Sequence, residues 1–444
     1  MLLFYAENIT PRLLYIIDFF SKQLFTQPIT ITSDISAFRK YDLPKLNYSQ
    51  YETGAEEFYI QNTNLLFETD IRTQLIDCFE INFHKAFFET GGDIPFDVFA
   101  ASFYLLSRYE EYLPHQKDEY GRYAHNNALA FKENFLHLPL VNIWLDELKE
   151  ALRQKFPKLI FKTNQFKCII SYDIDIAYSF LHKGMLRTLG GLAKSFLNGK
   201  WGVLNDRIKV LRGKKNDPFD CYEWLDALHL YCRLKPYYFF LVARSTGKYD
   251  KNISTDQKPF YELIEYYASK YETGIHPSWQ TGEDIALLTE ELEWLEIVAD
   301  KKIICSRQHY IRFTLPQTFR HLLQAGIKKD FSMGYGSING FRASVCSSYY
   351  WYDLEKEEKT NLELFPFSYM DANSFYEQKN SPQQAYHELM QQYEIVKKLN
   401  GLFISIWHNN ILGTDQQYKG WPEMFELFMK ETVYWDAYYS GPLE

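Results

Sequence analysis

Apolar and polar positions alternate regularly from about residue 166 to the end of the chain. Short apolar runs bounded by turn residues are followed there by longer segments in which apolar residues recur every three or four positions. The short runs predict buried strands and the longer segments predict helices. Strands and helices in alternation are typical of a parallel sheet or a barrel. We predict strands over residues 166–172, 236–242, 302–306 and 402–407, and a short strand that ends at Ile275.

Two helices between these strands have clear sequence signals. Ile285, Leu288, Leu292 and Leu295 share the spacing of one helix face, and the segment 316–326 has a proline near its start and a glycine at its end. In both a parallel sheet and a barrel, the chemistry gathers where strands end and loops begin. Polar residues at the carboxyl ends of the predicted strands are therefore the first candidates for a site.

The first 160 residues follow a different pattern. The spacing there predicts a helix over residues 11–24, short extended pieces to about residue 88, and helices over residues 99–112 and 141–156. A chain of 444 residues is too long for one ordinary core. We therefore predict a smaller α+β domain over residues 1–160 and a β/α domain over residues 161–444.

Composition and charge exclude several classes of protein. The net charge of −9 opposes nucleic acid as a partner, because phosphate binding needs a positive surface. The start of the chain lacks the basic region and the cleavage site of a signal peptide, and no run of about 18 apolar residues predicts a membrane span. We expect a cytoplasmic protein whose six scattered cysteines are reduced and buried.

One segment departs from the acidic average. Residues 182–217 contain nine Lys and Arg residues against Asp206 and Asp217, and apolar residues between them suggest an amphipathic element. We interpret residues 181–216 as an insertion. A basic amphipathic helix can lie on an anionic membrane surface or hold a phosphate-bearing substrate. A solvated insertion on the rim of the domain is the plain alternative.

The strongest chemical signal is the segment IISYDIDIAY. A buried strand delivers Asp173 and Asp175 two residues apart, and hence on one side of the strand. Two neighbouring carboxylates repel one another unless a cation or a shared proton compensates. A pair that caps the next helix is the simpler alternative, because D-x-D is short and common by chance.

Two histidines follow later predicted strands. His276, in YETGIHPSWQ, lies at a strand-to-loop transition and could ligate a divalent metal. His408, in LFISIWHNN, ends the last apolar run and could serve as a general acid near neutral pH. The alternative for His276 is a structural histidine, and the alternative for His408 is a histidine hydrogen-bonded within a turn.

Arginines complete the list of candidates. Arg307 ends a predicted strand in ICSRQHYIRF, and Arg342 lies in a Gly-flanked loop; either could hold a carboxylate in its ionised form, or form a surface salt bridge. In the N-terminal part, Arg108, Glu110 and Glu111 predict only a buried helix with a charged end.

Together these motifs resemble the polysaccharide deacetylase (NodB-homology) superfamily, over about residues 166–444. The resemblance implies a distorted (β/α) barrel and a carbohydrate N-deacetylase. SYDID resembles the first motif of the family and implies Asp173 as the catalytic base and Asp175 as a metal ligand. GIHPS resembles the second motif and implies His276 as a ligand.

Two further motifs resemble the family. SRQHY lies where the family has an Arg-containing third motif, which implies Arg307 as the residue that orients the base, with Arg342 as its rival. ISIWH resembles the fifth motif and implies His408 as the general acid. The N-terminal segments FYLLSRYEEYLP and DEYGRY resemble the uncharacterised domain that precedes this barrel in a group of bacterial proteins, and that likeness implies no activity.

The chain departs from the family at the metal site. The second motif of the family has another His four residues after the first, and this chain has Gln280 there. Gln280, Ser278, His309 or solvent could supply the third ligand that catalytic zinc usually has. His309 also stands where the third motif has a proline. The resemblance implies zinc as the metal, with nickel, cobalt or iron as alternatives.

The resemblance implies removal of an N-acetyl group from a carbohydrate, on a polymer or on a lipid-linked or nucleotide-linked precursor. A degenerate protein that binds carbohydrate without turnover is the alternative that Gln280 favours, and hydrolysis of another non-peptide C–N bond is a third. A lipid-linked substrate would be consistent with peripheral membrane contact through residues 181–216. The sequence leaves the oligomeric state open.

Overall fold

The computed structural model describes residues 2–54, 56–282 and 284–435. The N-terminal strands are β1 Leu3–Tyr5, β2 Thr30–Thr32, β3 Lys45–Ser49, β4 Phe58–Gln61, β5 Phe79–Ile81 and β6 His84–Ala86. The helices of this part are α1 Pro11–Leu24, α2 Ile35–Arg39, α3 Val98–Leu106, α4 Leu129–Lys132 and α5 Leu140–Lys155.

The N-terminal part is built on a small parallel sheet. Its strand order is β2-β1-β3-β4, and β5 and β6 form a separate hairpin. Helix α1 begins where Thr10 accepts a hydrogen bond from the backbone N–H of Leu13 and where Pro11 occupies the first turn. The prediction of a helix over residues 11–24 is confirmed.

The rest of the described chain forms a nine-stranded sheet of order β12-β13-β11-β10-β9-β8-β7-β15-β14. All neighbouring strands are parallel except β12 and β13. The strands are β7 Lys167–Ile174, β8 Tyr237–Leu241, β9 Glu272–His276, β10 Cys305–Ser306, β11 Lys329–Asp330, β12 Tyr349–Asp353, β13 Glu358–Leu364, β14 Tyr369–Met370 and β15 Leu402–His408.

Helices connect these strands. They are α6 Gly184–Leu197, α7 Trp201–Leu211, α8 Tyr222–Cys232, α9 Lys258–Lys270, α10 Ile285–Ala299, α11 Gln317–Gln324, α12 Pro382–Lys398 and α13 Trp421–Phe428. In the described residues the hydrogen-bonded order has two ends, at β12 and β14. The strand pairing therefore gives a mixed α/β fold with one large, mostly parallel sheet, as the alternation of the sequence predicts.

Two predicted elements need correction. The strand predicted over residues 302–306 is reduced to Cys305–Ser306, because the backbone N–H of Ile303 bonds the Glu296 side chain instead of a neighbouring strand. The helix predicted over residues 99–112 ends at Leu106, because Arg108 adopts a left-handed conformation with φ of 54°. A separate 3₁₀ turn follows over Tyr109–Tyr112.

The two parts of the described chain pack on one another through a common apolar core. The buried Arg12 on α1 pairs with Glu357 at an Nη2–Oε1 distance of 2.5 Å, and the hydroxyl of Tyr15 donates to the carbonyl oxygen of Tyr350 over 2.9 Å. Over the described ranges, no helix combines the length and the apolar character that crossing a bilayer requires. All six cysteines are free thiols, four buried and two half-buried.

Candidate active site and metal centre

The four motif residues on the central strands meet at one edge of the large sheet. Asp173 lies near the end of β7, Asp175 follows that strand, and His276 and His408 are the last residues of β9 and β15. β15 pairs with β7 so that His408 lies opposite Asp173. Because these strands are parallel, their carboxyl ends lie together, and the side chains converge.

Arg307 holds Asp173. Its Nη1 donates to Asp173 Oδ1 over 2.8 Å, and its Nη2 donates to Ser171 Oγ over 2.9 Å. Its guanidinium also stacks 4.2 Å from the ring centroid of Phe239. Burial lowers the pKa of Arg307, although Asp173 acts in the opposite direction. The arginine is fully buried, so these contacts fix the carboxylate of Asp173 in one orientation.

Asp175 lies among imidazoles. His276 Nε2 is 3.2 Å from Asp175 Oδ1, and His309 Nε2 is 3.6 Å from Asp175 Oδ2. Burial raises the pKa of Asp175, but the charge of His309 and the contact with His276 together hold it well below its ordinary value. Asp175 Oδ1 is nevertheless a buried atom without a hydrogen-bond donor in the described parts of the chain.

These three residues fit a divalent metal ion. One ligand atom of each can be chosen so that all lie within 4.8 Å of one another. The distance of 3.2 Å between His276 Nε2 and Asp175 Oδ1 is close to the edge of about 3.3 Å that tetrahedral coordination with bonds of about 2.0–2.1 Å gives, and the distance of 3.6 Å from His309 Nε2 runs to the other oxygen, Oδ2. His276 Nδ1 is 2.6 Å from the carbonyl oxygen of Arg307, and His309 Nδ1 is 3.0 Å from Asp250 Oδ1. Each imidazole is thus oriented through Nδ1 and directs Nε2 towards Asp175, where it could bind an ion.

His309 is the histidine that the sequence left among several alternatives. It lies in the turn after β10, the strand that pairs in parallel with β9, and is buried. Gln280, at the position of the second family His, is exposed in the 3₁₀ turn Trp279–Gly282. The turn after the neighbouring strand β10 therefore supplies a histidine near Asp175, whereas position 280 does not.

His408 is paired with a carboxylate that the sequence analysis missed. Its Nδ1 is 2.6 Å from Asp371 Oδ1, and its backbone N–H donates to Asp371 Oδ2 over 2.8 Å. Burial alone would lower the pKa of His408, but the Asp371 carboxylate raises it to about 10. Asp371 directly follows the short strand β14. Its position after an apolar run is the sequence signal that could have identified it.

The structure does not bring Arg342 to this cluster. Its Nε and Nη2 donate to the two carboxylate oxygens of Glu111 over 2.8 and 2.5 Å, and its Nη1 donates to the carbonyl oxygen of Gly334 over 3.0 Å. Arg108 donates to the same Glu111 over 2.7 Å and to the backbone oxygen of Arg342. These contacts join the N-terminal part to the large sheet, so Arg342 has a structural environment and Arg307 alone reaches Asp173.

A pocket of about 690 Å³ opens above the cluster. Asp173, Asp175, His309 and His408 line it, together with aromatic and charged residues of several loops. The N-terminal part contributes three of the lining residues: Glu119, Tyr120 and Arg122. The ring of Tyr120 stacks on Tyr310 with centroids 5.2 Å apart, and Tyr249 and Tyr376 add further ring surface. The wall is thus both polar and aromatic.

Residues 2–157 match a model described as a family of unknown function, DUF7033. No curated protein matches the chain. Among solved structures, a Mycobacterium smegmatis protein assigned as a polysaccharide deacetylase is 13% identical, with a TM-score of 0.40 over 61% of this chain and 85% of its own. The polysaccharide deacetylase Bc1974 from Bacillus cereus is 11% identical, with a TM-score of 0.30 over 60% of this chain and 88% of its own. Likeness of this degree assigns no activity.

Proposed function

We propose that this protein is a metal-dependent hydrolase that removes an N-acetyl group from a carbohydrate. We further propose that residues 161–444 form a distorted barrel of the deacetylase type and that residues 1–160 are a separate α+β domain. One observation carries the proposed activity: a three-residue metal site lies between an arginine-held carboxylate and a carboxylate-held imidazole at the floor of one pocket.

The residues divide the chemistry of amide hydrolysis between them. A divalent metal bound by Asp175, His276 and His309 would supply Lewis-acid activation of a water and of the amide carbonyl. Asp173, held through Oδ1, accepts the proton of the attacking water on Oδ2. His408, held through Nδ1 by Asp371, donates its Nε2 proton to the amine nitrogen as the C–N bond breaks. Acetate and a free amino sugar are the products.

The wall of the pocket supports a carbohydrate as the substrate. Aromatic faces such as those of Tyr120 and Tyr249 pack against the apolar face of a sugar ring, while charged neighbours such as Lys251 and Glu377 can bond its hydroxyls. A volume of about 690 Å³ accommodates a short glycan segment.

Metal content tests the first half of the proposal. Elemental analysis of purified protein should give about one divalent ion per chain, and Asp175→Ala, His276→Ala and His309→Ala should each lose it. Gln280→Ala is the matched control, because this exposed position should leave the ion in place. Metal retained in His309→Ala and lost in Gln280→Ala would overturn the ligand set.

Acetate release tests the second half. The metal-loaded protein should release acetate from N-acetylated oligosaccharides or from nucleotide-linked N-acetyl sugars, and Asp173→Asn should abolish this while keeping the metal. Glycan binding by both proteins without turnover in either would reject the hydrolase in favour of a carbohydrate-binding protein. Release of ammonia, or ring opening of cyclic amides, without release of acetate would show that the enzyme cleaves a C–N bond other than that of an N-acetyl group.

A further inference from the structure

The basic insertion forms a helical hairpin that stands off the body of the protein. It consists of α6 and α7, which the turn 198–200 joins. Ser195 and Val210 are the buried residues of the two helices. Most of the apolar residues of the hairpin are therefore left exposed within this chain.

The outward side of α6 is apolar. Leu186 is 87% exposed, Leu189 is 56% exposed and Leu197 is 80% exposed. We call the following set the hairpin face: Met185, Leu186, Leu189, Phe196, Leu197 and Trp201. Spacings of three, four and seven place the α6 members on one side of the helix, and the ring of Trp201 packs edge-on against Phe196 at 5.2 Å. No other segment of similar length in the described chain exposes as many large apolar side chains.

The hairpin is rich in positive charge. Between residues 182 and 217 there are nine Lys and Arg residues, in a chain of net charge −9. Lys183, Arg187 and Arg207 lie close enough that, after burial, the two arginines are the main causes that lower the pKa of Lys183 to about 8. The Nε of Arg207 is buried without a hydrogen-bond acceptor in the described residues. The three positive charges of this cluster exceed the single negative charge of the nearby Asp217.

The base of the hairpin is fastened to the rim of the pocket. Arg187 donates from Nη1 to the carbonyl oxygen of Asn252 over 3.0 Å and from Nη2 to that of Lys251 over 2.9 Å. Lys251 lines the pocket. Asp217, after α7, accepts from the backbone N–H groups of residues 179–181 in the loop that leads from Asp175 into α6. The base of the hairpin therefore lies beside the pocket.

We propose that the hairpin face docks onto an anionic lipid bilayer. The apolar side chains enter the boundary between headgroups and acyl chains, and the Lys and Arg residues contact lipid phosphates. A second copy of the chain is the less suitable occupant, because its hairpin would bring the same positive charges together. Docking would present the pocket to molecules carried at the membrane surface.

Vesicle flotation of the full-length protein tests this assignment. We expect the protein to float with phosphatidylcholine vesicles that contain phosphatidylglycerol, to remain unbound with phosphatidylcholine alone, and to be released by raised salt. Absence of flotation with the anionic vesicles would overturn the proposal. So would equal flotation with both vesicle types at all salt concentrations.

Paired variants separate the hairpin from the rest of the surface. Leu186→Glu with Leu189→Glu should reduce partitioning at least about tenfold, because two apolar side chains leave the membrane. Leu230→Glu is the matched control, because Leu230 is 82% exposed but lies on α8. Unchanged flotation of the double variant would reject the hairpin face as the docking surface.

Light scattering tests whether a second copy of the chain covers the hairpin face. We expect the same oligomeric state for wild type and the double variant without vesicles; a wild-type dimer that the double variant dissociates would assign the hairpin face to a second copy and overturn the proposal. Flotation requires no turnover, and acetate release from a small substrate requires no vesicle. Failure of the proposed activity and failure of the membrane proposal are therefore distinguishable.

Discussion

Two buried arginine–carboxylate groups have different surroundings in this molecule. Asp173 and Arg307 form one, and Glu111 with Arg108 and Arg342 forms the other. The carboxylates are 1% and 5% exposed, so burial does not distinguish them. Both carboxylate oxygens of Glu111 are bonded to guanidinium groups, whereas Asp173 accepts from Arg307 through Oδ1 alone and lines the pocket.

The comparison distinguishes a carboxylate that is bonded on both oxygens from one that is open to a pocket. A buried carboxylate whose oxygens are all bonded can stabilise the fold but has no free lone pair facing a ligand. A carboxylate that is held at one oxygen and open to a pocket at the other combines fixed orientation with access. The four predictions that follow separate these two properties.

The largest effect is expected at Asp173. Asp173→Asn keeps the shape of the side chain but removes the proton acceptor, so acetate release per folded molecule should fall by about 10²–10⁴-fold. The measurement is the initial rate of acetate release at saturating metal. Glu111→Gln, measured beside it at a temperature where both are folded, should retain the rate. Equal losses of acetate release in the two variants would show that Asp173 and Glu111 do not differ in their effect on the reaction.

The second effect is on stability at Glu111. Glu111→Gln leaves the buried guanidinium of Arg342 with a neutral partner, while Arg108 keeps its ion pair with Glu110, so the free energy of unfolding should fall by about 3–5 kcal/mol. Urea unfolding followed by circular dichroism measures the change. Glu68→Gln is the control, because Glu68 pairs with the exposed Arg72 and should cost less than about 1 kcal/mol. A Glu111→Gln variant as stable as this control would show that the cluster does not hold the two parts together.

The third effect is a pH dependence of the same group. Burial raises the pKa of Glu111, but Arg342 and Arg108 together lower it from 4.5 to about 2. A depressed carboxyl pKa contributes stability that is fully present above 4.5 and is lost as pH falls through about 2. The stability difference between wild type and Glu111→Gln should therefore shrink by about 3 kcal/mol over this range, as urea unfolding at several pH values would measure. A difference that is constant with pH would contradict the charge assignment.

The smallest effect is expected at Ser171, behind Arg307 and Asp173. Ser171→Ala removes the acceptor for Nη2 of Arg307 and should cost about 1 kcal/mol of stability, with a decrease of several-fold in acetate release. Thermal unfolding and the initial rate, taken on the same preparation, measure both. If Ser171→Ala lowered the rate as much as Asp173→Asn, orientation of Arg307 would outweigh proton transfer by Asp173.

Much of the architecture could be predicted from local pattern. The apolar runs at β7, β8 and β15 and the helical spacing of α1 and α10 indicated these elements to within two residues. A break such as that at Arg108 could not be predicted, because its left-handed conformation depends on partners more than 200 residues away, such as Arg342.

By itself the sequence determined which polar residues stand at strand ends, because the change from apolar run to polar residue is local. It thereby indicated Asp173, Asp175, His276 and His408 as neighbours, since the carboxyl ends of parallel strands meet at one edge. Only the tertiary structure decided that His309 occupies the place left by Gln280, that Asp371 orients His408, and that Arg342 belongs to another cluster. The reason is physical: loops after different strands set these distances, and the loop paths depend on packing between residues that are distant in the chain.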